Sequence, residues 1–217
     1  MDDFKILGIS GSPRKANTDL LLNLALQSAE EQTGIQTERI YLRKKDIKFC
    51  SGCFKCFNEN QNEYACQVWR DSMDEIYPKL KECHGLIIAT PVYFGGMTAQ
   101  IKMFMDRTEP LLRYAQGRWK SSLRNKVGGV ITIGGNRNGG QETTIQSVHH
   151  FFLIHDMIVV GNPALASPGC YLGAAATTYP QRGRVKDAAK DDELGIKASK
   201  MLGLRVAEVI KLVGQNS

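Results

Sequence analysis

Four cysteines, Cys50, Cys53, Cys56 and Cys66, fall within the seventeen residues CSGCFKCFNENQNEYAC. Three thiols, each two residues from the next, can wrap one side of a small metal cluster, and a fourth can close it. Iron–sulfur clusters are held by compact cysteine runs of this kind. Structural zinc usually pairs two C-x2-C knuckles across a longer spacer, and only one triplet is present here. Unligated, redox-active thiols are the remaining reading. Cys83 precedes an apolar strand and reads as a buried core thiol, while Cys170 reads as a loop cysteine. Six cysteines without a leader-like apolar stretch after Met1-Asp2-Asp3 fit a reducing cytoplasm better than a disulfide framework.

Three further loops carry polar or glycine-rich chemistry. Residues 10–18, SGSPRKANT, lie between an apolar strand and a helix. Backbone N–H groups converge at such a helix start, and the helix dipole favours an anion there. Ser10, Ser12, Asn17 and Thr18 can donate further hydrogen bonds. No Walker-type Gly-Lys-Ser/Thr and no G-x-G-x-x-G occurs, so a single terminal phosphate such as that of FMN fits better than a triphosphate or a dinucleotide. In residues 90–97, TPVYFGGM, Gly95 and Gly96 let the backbone approach a flat ligand and Tyr93 and Phe94 can pack near a ring. Residues 134–142, GGNRNGGQE, offer backbone donors to ring carbonyls.

These loops need elements to hold them. Apolar runs predict strands at Phe4–Ser10, Gly85–Thr90, Val127–Ile133 and Met157–Val160, and alternation predicts another at Gln36–Leu42. Helical spacing predicts helices from Thr18 to Gln32, Asp71 to Cys83, Met97 to Leu112, Glu142 to His155 and Asp191 to Leu212. Ser72 and Glu75 form a capping-box pattern, and Pro78 is a candidate kink. Strands alternating with helices imply an α/β fold: a doubly wound, five-stranded parallel sheet of order 2-1-3-4-5 with helices on both faces. Ligands bind such sheets beyond the carboxyl ends of the strands, where the three loops fall. The 217 residues suit one domain, with a cysteine-rich insertion at about 48–70 and an irregular, basic excursion at about 163–190.

Other features are plainer. Apolar residues make up 42% of the chain, enough for a core, and 28 basic against 22 acidic residues leave a net charge of +6. That excess suits phosphate cofactors or acidic electron carriers, and Arg39 to Lys48 could steer such a carrier. No apolar run reaches membrane-spanning length, and neither a membrane nor a nucleic-acid partner is expected. His150 and His155 are five apart on one predicted helix and make a poor metal pair. Trp69 and Trp119 are candidates for interface packing or a flavin-facing lid.

The segments ISGSPRKANT, TPVYFGGMTAQIKMFMDR and GGNRNGGQETT resemble the NAD(P)H-dependent FMN reductase-like branch of flavodoxin-fold proteins. With the cysteine run between them and the closing helix DDELGIKASKMLGLRVAEV, the chain resembles the iron–sulfur flavoprotein family. The resemblance implies FMN and a [4Fe–4S] cluster, a homodimer or homotetramer, and exchange of electrons with a ferredoxin-like donor. It places Ser10, Ser12, Pro13, Arg14, Asn17 and Thr18 at the phosphate. It places Pro91, Val92, Tyr93, Phe94, Gly95, Gly96, Gly134, Gly135, Asn136, Gly139 and Gly140 around the ring. Cys50, Cys53, Cys56 and Cys66 become the cluster ligands. Nine residues separate Cys56 from Cys66, more than the family motif usually has, so either the loop bulges or the fourth ligand comes from elsewhere. The expected function is an FMN-containing iron–sulfur electron-transfer flavoprotein serving a small-molecule acceptor. A cluster-free NAD(P)H-dependent FMN or quinone reductase and a non-enzymatic flavodoxin-like carrier are the alternatives.

Overall fold

The computed structural model describes residues 4–57, 65–115, 118–163, 171–182 and 184–214, without the side chains of 113–115, 118 and 119. In chain order the elements are β1 (Lys5–Ser10), α1 (Asn17–Thr33), β2 (Gln36–Tyr41), α2 (Met73–Glu82), β3 (Gly85–Pro91), α3 (Ala99–Asp106), β4 (Leu112–Ala115), β5 (Arg118–Ser121), β6 (Val127–Gly134), α4 (Gln141–Ile154), β7 (Ile158–Val159), β8 (Ala174–Thr177) and α5 (Glu193–Gly214).

The central strands read as continuous apolar runs because both of their faces are covered. Every residue of β6 is buried, as is all of β3 but Pro91. Successive side chains alternate between two cores, as the pleat requires. Leu7, Ile9, Leu86, Ile88 and Val130 pack with Met73, Ile76 and Leu80 of α2, Ile101 and Phe104 of α3 and Val148 and Phe152 of α4. Ile6, Ile87, Ala89, Ile131 and Ile133 pack with Leu21, Leu22 and Leu26 of α1 and Leu202, Val206 and Ile210 of α5.

Sheet order is β2-β1-β3-β6-β7, with β8 also on β6, and every pair in this sheet is parallel. This is the expected doubly wound order, except that two short strands share the fifth position. β7 pairs with Val127 and Gly128, and β8 with Ile131 to Gly134. β8 falls in the excursion expected to be irregular. Its Ala-Ala-Ala-Thr sequence has little strand propensity, but the small side chains fit beneath α5, where a Cβ on Gly195 would lie 2.6 Å from that of Ala176.

Two other expectations are corrected. The helix expected from Met97 to Leu112 spans only Ala99–Asp106. Pro110 has no N–H to continue it, and a 3-10 turn over Glu109–Leu111 leads into the antiparallel hairpin β4–β5. Ser72 stands at the start of α2 without capping it. Its hydroxyl instead accepts the Asp46 N–H, and Glu75 pairs with Lys45. Pro78 lies inside α2, which continues past it to Glu82.

His155, 2% exposed, ties the end of α4 to the hairpin. Thr108 donates its hydroxyl to the Met105 carbonyl at 2.7 Å, so at 2.9 Å it accepts from His155 Nε2. Nδ1 is then the acceptor for the Ser121 hydroxyl at 2.8 Å. The network specifies a neutral ring, and burial pushes the imidazole down to about 4.

Two predictions follow from this packing. A Cβ on Gly203 of α5 would sit 2.0 Å from the Ala25 carbonyl of α1, so Gly203→Ala must push the helices apart. We expect a loss of ~2 kcal/mol, read as a lower thermal midpoint. His155 titrates lower in the folded than in the unfolded chain, so its contribution is complete above the unfolded value of about 6.5 and is lost as pH falls towards 4. Urea unfolding at pH 7 and pH 4.5 should show a drop of about 2–3 kcal/mol in the wild type that His155→Gln largely removes.

Candidate cofactor site

The carboxyl ends of β1, β3 and β6 meet in a cleft of about 180 Å³. From the loop after β1, it is lined by Ser12, Arg14, Ala16, Asn17 and Thr18. The N-cap of α1 is Ala16, which offers no capping oxygen, so the first N–H groups of the helix have no side-chain cap. Ser10 is fully buried outside the lining; its hydroxyl donates to Asp19 at 2.7 Å and accepts the Ser12 N–H at 3.4 Å. Asp19 is paired with Arg43 at 2.8 Å, and the Arg43 guanidinium lies 4.6 Å from the centre of the Tyr41 ring. The Ser12 hydroxyl donates to the Arg14 carbonyl and accepts the Arg14 N–H, which curls the loop. Pro13 is exposed and does not line the cleft.

Pro91, Val92 and Tyr93 form the second wall. Tyr93 and Gly96 exchange backbone hydrogen bonds at 2.8 and 3.0 Å around Phe94 and Gly95, both at positive φ. This tight reversal leaves the Phe94 side chain in solvent, and Phe94, Gly95 and Gly96 stand outside the lining. Gly134 and Gly135 form the third wall, whereas Asn136, Gly139 and Gly140 stand outside the lining. Gly140 has a φ of 100°, and a Cβ there would meet Gly95 Cα at 2.8 Å, so the second and third loops touch.

The sequence reading missed two contributions. Gln141, 5% exposed, donates to the Asn136 carbonyl at 2.7 Å and accepts the Gly139 N–H at 2.7 Å, folding the third loop back on α4. Thr178 and Arg182, just beyond β8, form a fourth wall. The Thr178 N–H donates to Gly134 at 2.9 Å. Asn17 holds this segment from the far side: its amide donates to the Val185 carbonyl at 3.2 Å and accepts the Ala189 N–H at 2.9 Å. The available signal was the basic run Arg182, Arg184, Lys186, which reads equally well as a solvated surface.

All four clustered cysteines line a second cavity, of about 320 Å³, with Phe54, Trp69, Arg107 and Glu109 in its wall. Residues 58–64, which bridge Cys56 to Cys66, lie outside the described residues, and so does Cys170. Trp69 closes the loop: its indole N–H donates to the Phe49 carbonyl at 3.0 Å, and its backbone N–H to Cys66 Sγ at 3.5 Å. The Cys53 thiol is held below its usual value by hydrogen bonds from the Lys55 amide and the Ser51 hydroxyl. Burial pushes Cys56 up to about 11, and the nearby Glu109, Cys50 and Cys66 act in the same direction. Among the described residues, no three His, Cys, Asp or Glu are arranged to hold one metal ion. Cys83 is fully buried, as expected. Trp119 lies in β5, with its side chain outside the described residues.

Beneath the cysteine loop lies an ion pair between Arg107 and Asp71, whose side chains are each 1% exposed. Burial alone would raise the Asp71 carboxyl, but Arg107 and the Lys48 and Met73 amides outweigh it and hold the group below its usual range. The basic run before the loop is largely neutralised: Arg39 pairs with Glu30, Arg43 with Asp19, Lys45 with Glu75 and Lys48 with Asp46.

The profile of the NADPH-dependent FMN reductase family matches residues 4–171. An iron–sulfur flavoprotein of Methanocaldococcus jannaschii is 46% identical over 210 residues, covering 96% of this chain and 98% of its own. The chain belongs to the iron–sulfur flavoprotein family, within the NADPH-dependent FMN reductases. It is a flavin-dependent oxidoreductase. Two solved structures share its fold at low identity. A flavone reductase superposes with a TM-score of 0.66 at 20% identity, over 99% of this chain and 65% of that longer one. A WrbA-like flavodoxin from Agrobacterium tumefaciens superposes with a TM-score of 0.59 at 16% identity, over 97% and 99% of the two chains. The fold is therefore flavodoxin-like. Among the described residues, no helix is long and apolar enough to cross a membrane.

The cleft's fourth wall hangs on Asn17. Asn17→Ala removes two hydrogen bonds, worth ~2 kcal/mol together, from the segment carrying Arg182, Arg184 and Lys186. Tryptic cleavage at those residues should accelerate roughly thirtyfold, measured by limited proteolysis under native conditions.

Proposed function

We propose that the cleft binds FMN, that the cysteine cavity binds a [4Fe–4S] cluster, and that the protein passes electrons between a one-electron donor, the cluster and the flavin. The observation that carries this reading is that Cys50, Cys53, Cys56 and Cys66 all line one cavity, Cys66 included despite its distance in sequence. A cubane is much larger than one ion, so its thiolate ligands stand apart around it, and a cavity of about 320 Å³ suits that better than a point of convergence. For FMN, the uncapped start of α1, the Thr18 side chain and the cations Arg14 and Arg182 suit a phosphate, while Ser12 and Asn17, engaged with the Arg14 carbonyl and with Val185 and Ala189, shape the walls around it. Ser10 and Asp19 act behind them by fixing the loop.

The organic and one-electron chemistry belongs to the cofactors. The chain's residues bind and orient them. Pro91 to Tyr93 and Gly134 to Gly135 present backbone and an aromatic side chain to the ring, and Arg182 adds positive charge at the cleft wall. Among the four thiols, Cys53 is already held towards its thiolate form, while Cys56 must lose its proton on ligation. Phe49 and Phe54, 74% and 68% exposed, offer an apolar rim at the cysteine face on which a ferredoxin-like donor could dock. The exposed Phe94, Leu153 and Ile154 offer surface to a second copy of the chain, in keeping with a homodimer or homotetramer in a reducing cytoplasm. A cluster-free NAD(P)H-dependent reductase is the second reading, and the match to the NADPH-dependent FMN reductase profile favours it.

Anaerobic purification followed by iron, sulfide and FMN assays decides between them. We expect about four irons, four sulfides and one FMN per chain. Cys56→Ala should abolish iron and sulfide while FMN stays bound. Arg182→Ala should weaken FMN binding about tenfold, the scale of one charge-assisted contact, and leave iron unchanged. One FMN per chain with no iron or sulfide from the anaerobic wild type would instead establish the cluster-free reductase.

A further inference from the structure

Arg107 is the residue that immediately follows α3, and its guanidinium is removed from water. An arginine has five N–H donors. Nη1 donates to the Lys48 carbonyl at 2.7 Å and to Asp71 Oδ2 at 2.6 Å, and Nη2 donates to Asp71 Oδ1 at 3.2 Å. Asp71 is saturated in turn, since it also accepts the Lys48 N–H at 2.9 Å and the Met73 N–H at 3.0 Å. The Tyr77 hydroxyl fixes the Arg107 backbone carbonyl at 2.7 Å. Lys48 and Asp71 flank the cysteine run, so Nη1 and Nη2 clamp the two ends of the loop.

The clamp makes no use of Nε. Among the described residues that N–H is buried without a partner, and Arg107 is part of the wall of the cavity that the four cysteines line. A buried charged donor left unsatisfied is costly, and a nearby anionic acceptor removes the cost. Thiolate and sulfide sulfurs are the acceptors a cluster would bring to this cavity, and hydrogen bonds to its sulfurs help set its reduction potential.

We infer that Arg107 donates its Nε–H to a sulfur of the cluster or of a ligating cysteine, and so raises the cluster's reduction potential while its other nitrogens hold the loop. The inference rests on the cluster reading of the cysteine cavity. Arg107 thereby favours the reduced cluster, whose charge is one unit more negative, and Asp71 opposes it. Removing either residue's special contribution should move the potential in opposite directions, which a purely mechanical clamp does not predict.

The test is a redox titration followed by electron paramagnetic resonance on the holoprotein, with iron, sulfide and FMN measured on each sample. Arg107→Lys keeps a cation but loses the fork. It should make cluster reduction at least tenfold less favourable, a negative shift of about 59 mV or more for one electron. Asp71→Asn keeps one side-chain oxygen for the guanidinium and removes the opposing charge, so it should shift the potential positively. Potentials equal to wild type, shifts of the same sign, or loss of the cluster from both variants would overturn the assignment and leave Arg107 a clamp. A wild-type protein that binds FMN but no iron or sulfide would overturn the cluster reading itself, and this inference with it.

Discussion

Ser10 pairs with Ala89 across β1 and β3, and Ala89 pairs with Ile131 across β3 and β6. This in-register parallel pairing makes three strands end within three residues of one another, at Ser10, Pro91 and Gly134, so the loops that follow them meet. Parallel strands require crossover helices, which cover both faces of the sheet. The polar and glycine-rich segments are thereby excluded from the core and gathered at the one edge where backbone groups need partners. Where the fifth position of the sheet is split, the same register brings Thr178 beside Gly134 and adds a wall that the first four strands cannot supply.

Both candidate sites stand on a buried ion pair. Asp19–Arg43 lies under the loop after β1, and Asp71–Arg107 under the cysteine loop. Desolvating two charges consumes most of what their attraction returns, so such pairs are weak sources of net stability. Their directionality is what these loops use. Asp19 takes the Ser10 hydroxyl and turns it away from the cleft, and Asp71 takes two backbone N–H groups from either end of its loop. An apolar replacement could fill either space but could not fix the course of an irregular chain.

The sheet and its helices were legible because burial on two faces leaves apolar runs, unbroken in Leu86 to Ala89 and interrupted only by Thr132 in Val130 to Ile133. The cysteine run was legible because its spacing is local. What failed to show was non-local or weak in propensity. β8 is a strand because β6 and α5 offer it a slot, and no alternation in Ala174–Thr177 announces that. The end of α3 was overrun because Leu111 and Leu112 continue the apolar spacing, although Pro110 stood there to be read. Gln141 and Arg107 look like surface residues in sequence. Their roles come from partners up to 59 positions away, a separation that composition and spacing do not encode.

α3 relates the two sites physically. At its start, Thr98 donates its hydroxyl to the Gly11 carbonyl at 2.8 Å and takes up Thr90 through its N–H at 3.2 Å, so the helix is fastened to the first loop and to β3. At its end, Arg107 is fastened to both flanks of the cysteine loop. Eight residues lie in the helix, a length of about 12 Å at 1.5 Å per residue. The cleft and the cysteine cavity are therefore held apart by a short, rigid element whose two ends are each bonded to the loop they serve. Because Arg107 follows directly on the helix, its place beside the cysteine cavity is set by the same eight residues that Thr98 anchors at the other end, and the separation between the two sites is set with it.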